Sequence, residues 1–177
     1  ERGIEVVLMV SLPRRRAAMH LDTVFTRISE NGCLAYMPCL ERDEGGTDLL
    51  KVHVWRSGEP TWSEASEDNL LQVLSGEGID LVPVSCGGAN RDDQAREQWS
   101  DGANAFALAP GKIVCYGRNR RTMVELNKAG FEIMRAEDFV RNAEMILSEP
   151  NRRVAVTIEG SELSRGRGGP RCLTMAI

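Results

Sequence analysis

The chain has 177 residues, a length that suits one domain or a large part of one. Hydrophobic residues make up 42% and charged residues 27%, which is ordinary for a folded protein. The net charge of −4 disfavours broad binding to nucleic acid, and no apolar run approaches the roughly 18 residues that a membrane-spanning helix needs. We therefore expect a folded protein with neither a nucleic acid nor a membrane as its partner.

The two other global features concern the start of the chain and its thiols. The opening "ERGIEVVLMVSLPRRR" places apolar residues before basic ones, the reverse of a signal peptide, and Glu1 in place of Met leads us to expect an upstream segment. Five cysteines without a CxxC pair argue against a disulfide scaffold or a zinc site. Such a set of thiols suits a reducing cytoplasm.

The first half of the chain predicts short strands around one helix. Asn31-Gly32 is a strong hairpin-turn signal. The stretch "SEDNLLQVLSGEG" predicts a helix capped by Ser66. The predicted strands are a buried one at 4–11, the hairpin pair 22–28 and 33–37, an alternating one at 49–57, and "IDLVPV" at 79–84.

The second half repeats this theme. "NAFALA" and "KIVCYG" predict two strands joined through Pro110-Gly111, and "RTMVELNKAG" predicts a helix capped by Thr122 and stopped by Gly130. The strand "FEIM", the amphipathic helix "AEDFVRNAEMILSE", the strand "RRVAVTIEG" and a helical turn "SELSRG" follow. The recurring order of two strands, a helix and a strand predicts an α/β protein of repeated modules.

The most informative stretch is "SRGRGGPRC", residues 164–172, which ends in Cys172. Its glycines let the backbone approach a ligand closely, and its three arginines raise the local positive potential, which favours a thiolate. The alternative is that Cys172 is a small apolar filler near the chain end. We interpret Cys172 as a nucleophile beside a pocket for a planar, charged substrate.

A second candidate stretch is "MHLDTVFT", residues 19–26. If 20–25 is extended, His20 and Asp22 point to the same face. A histidine supports a thiol nucleophile by moving protons, and a carboxylate can hold a guanidinium through paired hydrogen bonds. The alternative is a satisfied surface pair, and the other histidine, His53, is interpreted as structural.

A third stretch, "REQWSDGAN", groups polar side chains around an aromatic ring. Asp101-Gly102 predicts a turn, and Asn104 leads into a strand. Arg96, Glu97 and Asp101 around Trp99 are more typical of a structural network than of a site.

Taken in order, "MHLDTVFT", "CGG" at 86–88, "REQWSDGAN", "APGKIVCYGRN" and "ELSRGRGGPRC" resemble the C-terminal part of an arginine deiminase. The resemblance covers nearly the whole chain. It implies part of a five-bladed, pseudo-symmetric α/β propeller, or pentein, built from ββαβ modules. It also implies hydrolysis of L-arginine to L-citrulline and ammonia, with no cofactor and no metal.

By this resemblance Cys172 is the nucleophile that attacks the guanidinium carbon and forms a covalent amidino intermediate. His20 would protonate the leaving ammonia and then activate water. Asp22 would bind the guanidinium nitrogens, and Arg167 matches a loop arginine that binds substrate or gates the pocket.

The resemblance also leaves parts of the family's site unassigned. An early carboxylate, a glutamate beside the histidine and an arginine for the substrate carboxylate match no residue here. Residues 1–177 are therefore expected to be the C-terminal portion of a single catalytic domain, which forms a homo-oligomer or associates with an N-terminal portion. Residues 136–160 are interpreted as a surface elaboration.

Other functions stay open. The chain could be a non-catalytic fragment or binding module, or a related guanidine-modifying enzyme such as an amidinotransferase or a methylarginine hydrolase. A thiol protease fits less well, because no separate asparagine or histidine constellation accompanies the cysteine.

Overall fold

The structure is a computed structural model that describes residues 3–41, 49–64 and 69–175. This part of the chain contains ten strands, four α-helices and several short 3-10 segments. The strands are β1 Val6–Ser11, β2 Phe25–Arg27, β3 Gly32–Ala35, β4 Lys51–Arg56, β5 Ser63–Glu64, β6 Val82–Ser85, β7 Phe106–Ala109, β8 Lys112–Tyr116, β9 Glu132–Arg135 and β10 Val154–Ile158. The helices are α1 Leu70–Gly76, α2 Arg91–Trp99, α3 Arg120–Lys128 and α4 Ala136–Ser148.

The strands form three sheets, in the orders β1-β4-β5, β2-β3-β6 and β7-β8-β10-β9. The first sheet is antiparallel. In the second, β2 and β3 form the predicted hairpin and β6 runs parallel to β3. In the third, β7 and β8 are antiparallel and β10 runs parallel to both β8 and β9. The mixed α/β class is confirmed.

The order of two strands, a helix and a strand recurs along the chain, but it is interrupted along the sequence in the first half and in the spatial order of the strands in the second. Between β3 and α1 the chain makes β4 and β5, which belong to the first sheet. In the third sheet β10 inserts between β8 and β9 as a fourth strand. The sheets do not close into a barrel within the described residues.

The hydrophobic core joins the second sheet to the third. One buried cluster contains Leu34 of β3, Val84 of β6, Ile113 of β8 and Leu126 of α3, together with Phe131. A second cluster packs α1 and the first sheet against β3, where Val52 and Val54 of β4 are buried as the strand alternation predicts. This packing fixes the positions of the strand ends from which the loops of the candidate site begin.

Two predictions about burial are wrong. Strand β1 is only half-buried: Val6, Leu8 and Val10 pack against the core, whereas Met9 on the opposite face is 46% exposed, because among the described residues nothing packs on that face. Residues 136–160 are not a surface elaboration as a whole. Strand β10 lies inside the third sheet, and Val154 and Ala155 are fully buried because neighbours flank β10 on both sides.

The helix starts also differ from the sequence expectation. Ser66 lies outside the described residues, and α1 is capped by Asn69, which accepts hydrogen bonds from the backbone of Leu71 and Gln72 in a capping box. Thr122 lies inside α3 and is not its cap. The Glu97 carboxylate accepts the backbone N–H of Thr122 at 2.8 Å and also accepts its hydroxyl, so α2 caps α3.

Helix α2 was not predicted, and its composition explains why. The segment "RDDQAREQW" has almost no apolar residues, and the side chains it buries are Gln94, Glu97 and Gln98. A helix with a polar buried face lacks the apolar periodicity by which helices are found in sequences. The signal present was its cap, Asn90, which accepts from the backbone of Asp92 and Asp93.

Tyr116 links the third sheet to the loop that ends in Cys172. The ring is fully buried at the end of β8, and its hydroxyl donates a 2.7 Å hydrogen bond to the carbonyl of Gly168. Gly160 lies against the ring, so closely that a Cβ there would be 2.2 Å from Tyr116 Cδ1. A methyl group at residue 160 therefore has no room unless the ring moves.

We expect Gly160→Ala to lower the free energy of unfolding by about 1–3 kcal/mol, the usual cost of overpacking a filled interior. Urea unfolding followed by circular dichroism measures this. Gly166→Ala is the matched control, since nothing lies within 4 Å of a Cβ at that position in the same loop. Equal stability of the two variants would contradict the packing of Gly160 on Tyr116.

Candidate active site

Cys172 lies in a 3-10 segment, Pro170–Leu173, and is exposed. Asn104 Nδ2 donates to its sulfur at 3.4 Å, and Asn104 Oδ1 accepts the backbone N–H of Arg171 at 2.9 Å. The other four cysteines are buried, and burial raises the pKa of three of them, Cys33, Cys86 and Cys115, to about 12. Cys172 is therefore the accessible thiol of the chain.

His20 and Asp22 do not lie on an extended strand. Residues Leu21–Thr23 form a 3-10 turn, because Thr23 closes it with two hydrogen bonds to the His20 carbonyl, 2.7 Å from the hydroxyl and 3.1 Å from the backbone nitrogen. The expectation of an extended 20–25 segment is wrong. The His20 residue is exposed, whereas the Asp22 side chain is only 20% exposed.

Asp22 is brought next to the Cys172 loop. Its Oδ2 lies 3.9 Å from Arg171 Nε, the residue before the cysteine. Its Oδ1 is buried and has no hydrogen-bond partner among the described residues. A buried carboxylate oxygen without a donor is costly, so this atom is suited to accept a hydrogen bond from a ligand.

The side chain of Arg167 is buried, with 3% of its surface exposed. Its guanidinium donates to the carbonyls of Ala17, at 2.9 Å, and Trp99, and lies 4.8 Å from the centre of the Trp99 ring. Asp101 Oδ1 is 4.0 Å from Nη2. The guanidinium thus ties the Cys172 loop to the segment before His20, and its role in substrate binding stays a prediction.

The three arginines of the loop each face a carboxylate. Arg165 pairs with Glu162 at 2.8 Å, Arg167 lies near Asp101, and Arg171 lies near Asp22. The positive potential expected from "SRGRGGPRC" is thus partly balanced by acidic partners. Asp22 and Asp101 come from distant segments, and only the fold reveals this balance.

Two side chains of this site were not identified as candidates from the sequence. Gln98, buried on α2, donates through Nε2 to the carbonyls of Ala17 and Thr23, and so holds both sides of the His20 segment. Asn104 holds Cys172 itself. Both residues lie in the stretch "REQWSDGAN", and its dense polar composition was the signal available.

The "REQWSDGAN" stretch is split between two structural tasks. Arg96 pairs with Asp93 within α2, and Glu97 caps α3. Trp99 and Asp101 surround the Arg167 guanidinium. The interpretation as a structural network holds for Arg96 and Glu97, while Trp99 and Asp101 support the Cys172 loop.

No hydrogen bond joins the His20 and Cys172 side chains within the described ranges. Those ranges also contain no group of three or more His, Cys, Asp or Glu side chains arranged to hold a metal ion. No helix among them is long and apolar enough to cross a membrane.

Comparison with known proteins decides the family. A family model described as "Arginine deiminase" matches residues 1–177. The chain belongs to the arginine deiminase family. The resemblance read from the motifs is confirmed.

Three similar curated proteins are bacterial and longer than this chain. An arginine deiminase of Mycoplasma capricolum is 36% identical over all of this chain and 37% of its own length. Arginine deiminases of Listeria welshimeri and Bacillus cytotoxicus are each 34% identical over 98% and 100% of this chain, and over 37% and 38% of their own lengths. The chain thus spans little more than a third of these relatives.

Asp101 is a buried acid next to the Arg167 guanidinium. It is 1% exposed and sits in the left-handed region, at φ 59°. Burial raises the pKa of its carboxyl, Arg167 lowers it, and the charge of Asp22 raises it, with burial the largest cause. The folded state therefore holds the Asp101 proton more tightly than the unfolded chain does.

The raised pKa of Asp101 makes the free energy of unfolding depend on pH. The stabilisation from the Asp101 proton is fully present below about pH 4 and is lost as pH rises through the raised pKa. We expect the unfolding free energy of the parent to fall relative to that of Asp101→Asn as pH increases from about 4. Asparagine accepts the left-handed backbone, so the turn is kept. Urea titrations at several pH values measure the difference, and a difference that does not vary with pH would contradict it.

Proposed function

We propose that this chain forms the Cys172 side of an arginine deiminase active site, which hydrolyses L-arginine to L-citrulline and ammonia. One observation carries the proposal: the exposed thiol of Cys172 follows directly on Arg171, whose Nε lies 3.9 Å from Asp22 Oδ2, so the fold brings the Cys172 loop to Asp22 from the opposite end of the chain. The relatives named arginine deiminase support it. In the complete protein, residues 1–177 would be the C-terminal portion of a five-bladed pentein propeller.

Asp22 is the proposed ligand of the substrate guanidinium. Its buried Oδ1 lacks a donor, and a planar guanidinium supplies two parallel N–H donors and a compensating positive charge. In the absence of substrate, the positive charge of Arg171, near Asp22 Oδ2, partly balances the negative charge of the Asp22 carboxylate. Substrate binding would therefore satisfy an oxygen that the folded chain leaves without a partner.

Cys172 is the proposed nucleophile. Its thiolate would add to the guanidinium carbon, and the tetrahedral adduct would expel ammonia as His20 gives the leaving nitrogen a proton. The product is an amidino-thioether on Cys172. His20 would then take a proton from water, the hydroxide would add to the same carbon, and citrulline would leave as the thiolate is released.

The proposal includes where the protein works and with what. All five cysteines are free, which supports the cytoplasm. L-arginine would be the substrate, without nucleic acid or membrane as a partner. Strand β1 leaves Val7 and Met9 exposed at a sheet edge, which supports association with a second copy or with an N-terminal portion of the propeller.

A direct test incubates the chain with L-arginine, assays citrulline, and searches the intact mass for an adduct of arginine less ammonia on Cys172. The same assay on a protein of the relatives' length that contains these residues separates a missing partner from a missing activity. Agmatine and methylated arginine, run in parallel, test the related guanidine substrates. Absence of citrulline from the longer protein would refute the proposal and favour a non-catalytic module.

We expect Cys172→Ala to abolish citrulline formation in the longer protein, because the other four cysteines of residues 1–177 are buried and cannot replace the nucleophile. Cys115→Ala is the matched control, since Cys115 is buried in the core and should leave turnover largely intact. Citrulline production measures both. Residual turnover by Cys172→Ala at the parental rate would exclude the covalent mechanism.

We expect His20→Ala to lose both half-reactions, since the same imidazole serves the leaving ammonia and the attacking water. Rapid quenching followed by mass spectrometry measures adduct formation and decay separately. A variant that forms the adduct at the parental rate and accumulates it would show that His20 acts only on the water.

A further inference from the structure

Asn104 uses both ends of its side-chain amide on the Cys172 loop. Its Oδ1 accepts the backbone N–H of Arg171 at 2.9 Å, and its Nδ2 donates to the sulfur of Cys172 at 3.4 Å. The first contact fixes the orientation of the amide, because the backbone N–H of Arg171 needs an acceptor and only Oδ1 can accept. The N–H group must then face the sulfur.

The amide is held rigidly on the scaffold. Asn104 is fully buried, its backbone N–H donates to the carbonyl of Asp101, and Ala103 and Ala105 on either side are fully buried. The loop is built around it: a Cβ at Gly169 would lie 2.3 Å from Asn104 Cγ. The Nδ2 donor is therefore in place before any substrate arrives.

The donor matters most when the sulfur is charged. An N–H to a neutral thiol is a weak hydrogen bond, whereas the same bond to a thiolate is charge-assisted. The bond therefore favours the reactive form and directs the sulfur. The charged and titratable groups of the Cys172 loop and of the segments packed on it are Arg171 with Asp22, Arg167 with Asp101, the hydroxyl of Tyr116, and His20, which follows the segment that Arg167 binds.

We propose that Asn104 is a positioning residue for the nucleophile: its amide donates a hydrogen bond to the Cys172 thiolate, stabilising and orienting it for attack. The inference rests on the proposed function, in which Cys172 is the nucleophile. Its test does not need that function, because thiol reactivity can be measured without arginine.

Asn104→Asp separates positioning from loop support. The carboxylate keeps an acceptor for the Arg171 N–H and has nearly the same shape, but it removes the donor to sulfur. It also brings a negative charge to the sulfur, which by itself disfavours the thiolate. Asn104→Leu, which removes the donor without adding a charge, is therefore measured beside it. The rate of Cys172 alkylation by iodoacetamide is measured by intact mass over about pH 6 to 9. At neutral pH the rate in each variant should be at least tenfold lower than in the parent, and the dependence of the rate on pH should move to higher pH. Asn142→Asp on α4 adds the same charge at an exposed position and should behave as the parent.

A parental alkylation profile in Asn104→Asp would overturn the inference and leave Asn104 as a support for Arg171 alone. Citrulline formation by the longer protein together with that profile would reject the positioning role and retain the function. A slowed, shifted profile in both Asn104→Asp and Asn104→Leu, in a protein that never forms citrulline, would retain the positioning role and reject the function.

If Asn104→Asp does not fold, the unchanged chain decides the question. The Nδ2 proton signals of Asn104 in a nitrogen-15 correlation spectrum should move with pH in step with Cys172 alkylation. They should not show this movement in Cys172→Ser. Signals that stay fixed while alkylation titrates would overturn the inference.

Discussion

The site depends on one buried guanidinium. Arg167 comes from the Cys172 loop, yet its hydrogen-bond acceptors are the carbonyl of Ala17, just before His20, and that of Trp99, at the end of α2. Asp101 supplies the compensating charge. Loss of this side chain would remove the positive charge next to buried Asp101 and the donor to the part-buried carbonyl of Ala17, which costs more than losing a surface contact.

Around the Arg167 guanidinium, the proposed reacting groups lie on turns, while the groups that support them lie on sheets and helices. His20, Asp22 and Cys172 belong to short 3-10 segments or their caps. Gln98 from α2 and Tyr116 from β8 reach across to hold the backbones of those segments. Helix α2 is polar on its buried side because it binds backbone carbonyls and another helix end, where an ordinary helix would pack against apolar side chains.

The sequence was sufficient for most strands, because apolar alternation and turn signals such as Asn31-Gly32 act over a few residues. It was also sufficient to recognise the family, since long motifs survive where local propensities are weak. It failed at α2, which has no apolar stripe, and at the cap of α3, which Glu97 supplies from another helix. The sequence does not indicate Asn104 as a functional candidate for a similar reason: its contact with Cys172 joins two segments that are distant in the chain, and no pattern of neighbouring residues predicts that contact.

The contacts that assemble the site end largely on main-chain oxygens. Arg167 and Gln98 bind the carbonyls of Ala17, Thr23 and Trp99, and Tyr116 binds that of Gly168. A main-chain acceptor is present whatever side chain the residue carries. The side chain at a position such as 17 can therefore change in evolution without loss of these hydrogen bonds, whereas the donor side chains of Arg167, Gln98 and Tyr116 cannot. Among related sequences, substitutions should therefore be more frequent at the residues whose carbonyls accept these hydrogen bonds than at the residues whose side chains donate them.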